Sequence, residues 1–193
     1  NGIEQLKGMQ MAAQWTAKGL QIDSVKVERE DLSVNLSGLL QPNGDWPLTL
    51  QGTINLSSPD KQPWSLALNV EGHLRTTLNL TADSSGYLNA HLKGEVQPLA
   101  ENLPAQVSIT SEAFKASPDL PDTLQLNQLL LTAKGDLKAG YALKGTASLP
   151  AENNPVSVLL EGRVDSKGAQ VSALDLTSSA QQHLKLSGKV DWQ

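Results

Sequence analysis

The sequence predicts an all-β protein: an elongated, strongly curled antiparallel sheet of about a dozen strands, apolar on its concave face and polar outside. Three observations predict it. Apolar and polar residues alternate along most of the chain, with turn-forming clusters between the runs. A pattern of apolar, any, Gly, any, apolar recurs without breaking that alternation. Larger units open on the same three-residue skip, which suggests a sheet extended by adding units.

In chain order, a short turn of helix is expected near Ile3 to Leu6. Ile22-Asp23-Ser24-Val25-Lys26-Val27 then leads into Leu36 and Gly38. From Leu36 to Leu126 nearly all strand-like apolar residues fall on even numbers, the run at 105–109 being on odd ones. They form the runs Trp46/Leu48/Leu50/Gly52/Ile54/Leu56, Trp64/Leu66/Leu68/Val70, Leu78/Leu80/Ala82, Leu88/Ala90/Leu92/Gly94/Val96 and Ala105/Val107/Ile109. Odd positions carry Asn, Ser, Thr, Gln, Lys and Glu, as on a sheet face turned to water. Turns are expected at Pro42-Asn43-Gly44-Asp45, Ser58-Pro59-Asp60-Lys61 and Asp83-Ser84-Ser85-Gly86. Pro98 to Pro104 and Ser111 to Asp122 read as longer breaks, Ala151 to Pro155 and Ser166 to Gly168 as shorter ones. The alternative place for that short helical turn is around Phe114.

The whole chain, 1–193, reads as one segment of a longer repetitive structure, with internal units near 20–56, 124–149 and 171–192. Leu126-Asn127-Gln128-Leu129-Leu130-Leu131 leads into Leu143 and Gly145, and Val171-Ser172-Ala173-Leu174-Asp175-Leu176 leads into Leu186 and Gly188. Each lead-in is apolar, skips two residues, then resumes. That step breaks phase and reads as a bulge or tight corner that re-aims the strand.

The glycines of the recurring pattern are Gly38, Gly52, Gly72, Gly94, Gly135, Gly145, Gly162 and Gly188. Each takes a place on the apolar face where a side chain would otherwise pack. A hairpin ending in Gly is one reading. Phase favours a continuous strand, because a two-residue loop would send the flanking apolar residues to opposite faces. Between Trp64 and Ala82 the alternation is too long for one strand and must turn somewhere. Within a strand, Gly permits a strong bend or makes room against the inner face. That face is predicted to carry Leu36, Leu50, Ile54, Leu66, Leu68, Val70, Leu80, Leu92, Val96, Val107, Ile109, Leu126, Leu143, Val158, Leu160, Val164, Leu186 and Val190.

Composition narrows the function. The 193 residues are 39% hydrophobic with a net charge of −5, which offers no electrostatic case for nucleic acid. Charged runs such as Lys134/Asp136/Lys138 and Glu161/Arg163/Asp165 alternate in sign and read as a solvated strand face. Without cysteine there is neither a disulfide framework nor a thiolate metal site. No stretch approaches the roughly 18 apolar residues of a membrane span. The chain starts at Asn1, so an excised segment is expected, with any anchor or export signal outside it. Aromatics make up only 4%, and a floor of Leu, Val, Ile, Ala and Gly can leave space unfilled.

Candidate chemistry is sparse, and no enzyme, metal or cofactor is expected. His73, His91 and His183 each precede an inward Leu and point to the polar face without a clustered second ligand. Ser58-Pro59-Asp60-Lys61 matches S-x-x-K but falls in a turn, where no helical frame brings Lys to Ser. Glu30-Asp31 and Asp119/Asp122 read as turn residues. Asn35, Asn55 and Asn79 match the glycosylation sequon, but in an alternating strand they are simply outward Asn. Trp46 and Trp64 open strands in phase with the apolar face, Trp192 closes one, and Trp15 shares a face with Met9, Met11 and Ala13. They suit core or end-plug positions, or lipid contact at the mouth of a groove.

Strands carrying Leu36-Ser37-Gly38 and Leu186-Ser187-Gly188-Lys189-Val190, with the lead-in Ile22 to Val27, resemble the TamB family over essentially the full chain. That family supplies the inner-membrane-anchored component of the translocation and assembly module of Gram-negative bacteria. It is related to AsmA-like and, more distantly, bridge-like lipid-transfer proteins. The resemblance implies a periplasmic β-taco, a curled sheet whose apolar floor accommodates acyl chains. It also implies passive phospholipid transport between inner and outer membrane, and partnership with the outer-membrane barrel TamA through regions outside this segment. The alternative reading is a structural or adhesive β-solenoid or sandwich with a filled core and no ligand.

Overall fold

A computed structural model describes the backbone of residues 2–6 and residues 8–58, 61–115, 119–150, 154–178 and 182–191. It forms strands, one 3-10 turn and loops among these residues, and its contacts divide the chain into two compact units, 1–100 and 101–193.

The first unit is an eight-stranded antiparallel meander: β1 Gly2–Leu6, β2 Met9–Thr16, β3 Gly19–Glu28, β4 Leu32–Leu40, β5 Pro47–Ser57, β6 Pro63–His73, β7 Leu78–Gly86 and β8 Ala90–Val96. Each strand pairs with the next, and β1 does not pair with β8, so the sheet is not closed into a barrel. The connections are short because the turn chemistry is local. Thr16 accepts from Lys18 N–H (3.2 Å) and donates to the Gly19 carbonyl (3.1 Å), holding the tip between β2 and β3. Glu30 and Asp31 form the two-residue loop closed by the Arg29–Leu32 backbone pair. Between β4 and β5, Gly44 and Trp46 adopt φ of 58° and 60°, the left-handed conformation a tight reversal demands.

The second unit is a six-stranded antiparallel meander: β9 Ala105–Phe114, β10 Leu126–Asp136, β11 Gly140–Leu149, β12 Val156–Val164, β13 Gly168–Ser178 and β14 His183–Asp191. A 3-10 turn at Asp122–Leu124 precedes β10. Two of its hairpins use aspartate in the same way. Asp136 accepts the N–H groups of Lys138 (2.9 Å) and Ala139 (2.7 Å), and Asp165 those of Lys167 (2.8 Å) and Gly168 (3.1 Å). These two are therefore turn-formers as well as members of an alternating charged face.

Three local expectations are corrected. Ile3 to Leu6 lies in β1 and not in a helical turn. Asp83-Ser84-Ser85-Gly86 is the end of β7, and the reversal follows at 87–89. Its turn-like composition is outweighed by a ladder to β6 that runs through to Trp64↔Gly86. The break expected from Ser111 begins later, because β9 continues to Phe114 against Leu126 of β10. The long alternation from Trp64 to Ala82 turns at 74–77. Gly72 remains inside β6, in register with Leu48 and Leu78.

Register irregularities fall at the three lead-ins. They lie between Ile22 and Val25 in β3, Asn127 and Leu130 in β10, and Val171 and Leu174 in β13. The result restores phase. Ile22 and Val25 pair with Gly38 and Leu36, and Val171 and Leu174 with Gly188 and Leu186, so both members of each pair stay on the same face. At Gln128 the step is taken by a residue with φ of 52°.

Candidate functional site

Directly opposed residues of an antiparallel pair lie on the same face. The registers of the first unit therefore chain into rows that cross the sheet. One runs Met11, Val25, Leu36, Gly52, Leu68, Ala82, Leu92. Beside it runs Ala13, Ile22, Gly38, Leu50, Val70, Leu80, Gly94. A third is Met9, Val27, Val34, Ile54, Leu66, Ser84, Ala90, and a fourth is Trp15, Leu20, Leu40, Leu48, Gly72, Leu78, Val96. Apart from Ser84 these rows are wholly apolar or Gly. On the other face the matching rows are mostly polar, for example Lys26, Asn35, Thr53, Ala67, Asp83, His91.

In the second unit the rows are Val107, Ala133, Leu143, Gly162, Val171, Gly188 and Ile109, Leu131, Gly145, Leu160, Leu174, Leu186. A third runs Ala105, Gly135, Tyr141, Val164, Ala169, Val190. Val158 sits between Ala147 and Leu176, and Leu126 lies opposite Phe114 beyond the β10 irregularity. The alternation thus brings all but one of the predicted floor residues into shared rows within their own units.

Among the described residues these rows are mostly only partly buried. A sheet ordinarily buries its apolar face against a helix layer or a second sheet. Here, among the described residues, the substantial contacts within each unit run between consecutive strands. No large side chain among the described residues is fully buried. Leu48, Val70 and Leu78 form a small core in the first unit, flanked by Leu40, Leu50, Leu68, Leu74, Leu80 and Val96, which are only partly buried. Leu36, Ile54, Leu66 and Leu92 are likewise partly exposed. In the second unit Leu186 is 50% and Val190 63% exposed.

The glycines of the pattern divide by what surrounds them. A Cβ on Gly38 would collide with the Thr49 carbonyl, and one on Gly52 with the Asn35 carbonyl. The neighbouring backbone occupies the volume a side chain would need. Gly72, Gly135 and Gly162 are similarly hemmed by backbone, whereas Gly145 meets only Leu131 Cδ1 at 3.2 Å, Leu160 Cβ at 3.4 Å and a carbonyl at 3.7 Å. Gly188 has open space.

The polar face carries the titratable groups. His91 Nδ1 lies 2.6 Å from Asp83 Oδ1, both exposed, and His183 Nδ1 lies 3.1 Å from Thr177 Oγ1. Ser58 of the S-x-x-K match donates its hydroxyl to the Gln62 carbonyl at 2.7 Å, in a turn whose Pro59 and Asp60 lie outside the described residues. Lys115 pairs with Asp122 at 2.5 Å, holding that carboxyl below the ordinary carboxylate range. A concavity of about 510 Å³ opens near the ends of β4 to β7, where Leu39, Thr49, Glu71, His73 and Asn79 help line it. Among the described residues no three His, Cys, Asp or Glu side chains gather where a metal ion could be held.

The sequence places Trp46 and Trp64 at strand starts, and leaves Tyr87, Phe114 and Tyr141 without a place at strand ends. Each described aromatic stands at or next to a strand end: Trp15, Trp46, Trp64, Tyr87, Phe114 and Tyr141. Trp192 lies outside the described residues. The spacing of aromatics relative to turn clusters was the available signal.

Two open antiparallel meanders, neither closed into a barrel, define an all-β protein built by adding hairpins. The chain matches the family model of the TamB N-terminal domain over residues 3–193 and belongs to that family, whose members are envelope proteins. No solved structure matches it significantly. No helix among the described residues is long and apolar enough to cross a membrane.

Proposed function

We propose that this chain is part of a passive conduit for phospholipid acyl chains. The conduit lies in the periplasm between the inner and outer membranes of a Gram-negative envelope, and the segment belongs to an inner-membrane-anchored protein. The observation that carries this reading is the set of apolar rows, mostly only partly buried, that cross each unit. Each acyl CH₂ moved from water onto such a floor gains about 0.8 kcal/mol. Head groups stay in water at the lateral margins, so no charged pocket and no catalytic group is required. Sliding along the rows exchanges one aliphatic contact for an equivalent one. Curling of the sheet, with the apolar face concave, would deepen this floor into a groove. Family membership supports a role in the translocation and assembly module, with the TamA barrel engaged through other regions of the parent protein.

The test is site-specific photo-crosslinking in cells. A photoreactive residue at Leu50, Leu66, Leu92, Leu143 or Leu160 should capture phospholipid, and one at Lys93, Lys144 or Lys185 should not. Equal capture from both faces would overturn the reading. So would a purified chain that yields no phospholipid on solvent extraction and mass spectrometry, the result expected of a structural sheet without ligand.

A further inference from the structure

The aliphatic rows are flanked by aromatics on both strand-end margins of the first unit. On the margin formed by the end of β2, the β4–β5 turn and the β6–β7 turn stand Trp15, 70% exposed, and Trp46. On the opposite margin, Trp64 near the start of β6 packs at 5.4 Å against Tyr87, which follows β7. Among the described residues, no aromatic stands in the middle rows of that unit. The second unit repeats the arrangement, with Phe114 closing β9 on one margin and Tyr141 opening β11 on the other.

Two of these side chains have their polar ends tied down. Trp64 Nε1 donates to Ser84 Oγ at 2.8 Å, and Tyr141 donates its hydroxyl to the Leu103 carbonyl at 2.9 Å. Trp46 carries something further. It is held by the backbone bonds Trp46 N–H to Asn43 (3.0 Å) and Leu74 N–H to Trp46 (2.9 Å). The Arg75 guanidinium lies 5.1 Å above its ring, and no carboxylate of a described residue forms an ion pair with it. Rings with one apolar body and one wet edge settle where hydrocarbon meets water. A guanidinium stacked on such a ring keeps its donors free for a phosphate.

We propose that the aromatic margins mark the head-group level of the bound ligand, and that Trp46 with Arg75 is a contact for its phosphate. The ligand class is then an anionic diacyl phospholipid whose chains lie across the rows and whose glycerol end rests at a margin. This rests on the lipid-conduit reading and adds the orientation of the ligand and the residues that sense its head.

The test uses tryptophan as its own depth gauge. The chain is loaded with phosphatidylglycerol brominated either near the glycerol end or near the methyl end of an acyl chain. Quenching should be at least about twofold stronger from the glycerol-end bromines, because short-range quenching follows contact. A variant retaining only Trp64 and a variant retaining only Trp46 should each show that order. Leu68→Trp in a tryptophan-free chain should lose or reverse it. The unsubstituted chain gives the same comparison if a variant fails to fold. Equal or methyl-end-dominated quenching at the margins, alongside quenching of Leu68→Trp, overturns the margin proposal and leaves the conduit standing. No quenching at any position, Leu68→Trp included, overturns both. Arg75→Gln should weaken phosphatidylglycerol binding about three- to tenfold while leaving diacylglycerol binding unchanged; equal loss for both lipids removes the phosphate contact.

Discussion

In the β4–β5 ladder Gly38 lies opposite Leu50 and Gly52 opposite Leu36, nine residue pairs running without a register shift. In the β13–β14 ladder Gly188 lies opposite Val171, and the register slips just beyond it. Both ladders carry the same apolar-x-Gly-x-apolar pattern. In the first, the partner strand's backbone fills the place of the missing side chains; in the second, that place is open. A strand can approach its neighbour's carbonyl this closely only where it carries no Cβ, so Gly38 and Gly52 set the path of the pair. Gly188 occupies a row on an exposed strand and leaves a gap in it. One motif therefore does two physical jobs, and the difference lies in what the neighbour does.

The sharpest way to break this comparison is a β-branched residue at each site. Gly52→Val should destabilise the first unit by about 3–5 kcal/mol, since neither backbone can yield without opening the ladder. Gly188→Val should stay within about 1 kcal/mol of the parent, measured by urea unfolding. Comparable losses at both sites would show that the contrast between the ladders is not energetic.

Burial gives a second contrast. Leu48→Ala removes a member of the small core and should cost about 2–3 kcal/mol. Leu186 is half exposed, so Leu186→Ala should cost less than about 1 kcal/mol. On the lipid side the order differs. Leu92→Asp interrupts an apolar row whose members reach solvent, so the carboxylate can hydrate and the fold should survive at about 1–2 kcal/mol. Phospholipid recovered by extraction should nevertheless fall severalfold.

Smaller still, Gly188→Ala should stabilise by up to about 0.5–1 kcal/mol, because alanine restricts the unfolded chain and meets nothing in the fold. The smallest effects are in titration. Asp165 is held below the ordinary carboxylate range, first by the N–H of Lys167, and Asp122 likewise by Lys115. A depressed folded pKa stabilises above the unfolded carboxylate value and is lost as pH falls through the folded value. NMR titration should find both carboxyls below their unfolded values, and Lys115→Gln should raise Asp122 alone.

Much of the candidate face was legible in the sequence because strand parity is a local property. Leu36, Leu68 and Leu92 share even numbers, and hairpins with short loops carried that parity from strand to strand. The three-residue step from Ile22 to Val25 was readable as a bulge for the same reason: only an extra residue keeps both on one face. Where local composition conflicted with pairing, it misled. Asp83 to Gly86 has the composition of a turn, yet β6 pairs with it to the end. Phase placed Trp46 and Trp64 at strand starts but was silent on Tyr87, Phe114 and Tyr141, which share a position at or next to strand ends.

Alternation and turn chemistry by themselves determined an antiparallel meander, and which side chains share each face. Only the tertiary structure decided which glycines touch a neighbour's backbone, that contacts gather into two units, and how far each row is buried. The reason is the range of the forces. Side-chain direction follows from the backbone's own two-residue period, whereas close approach and cover depend on where a distant part of the chain goes.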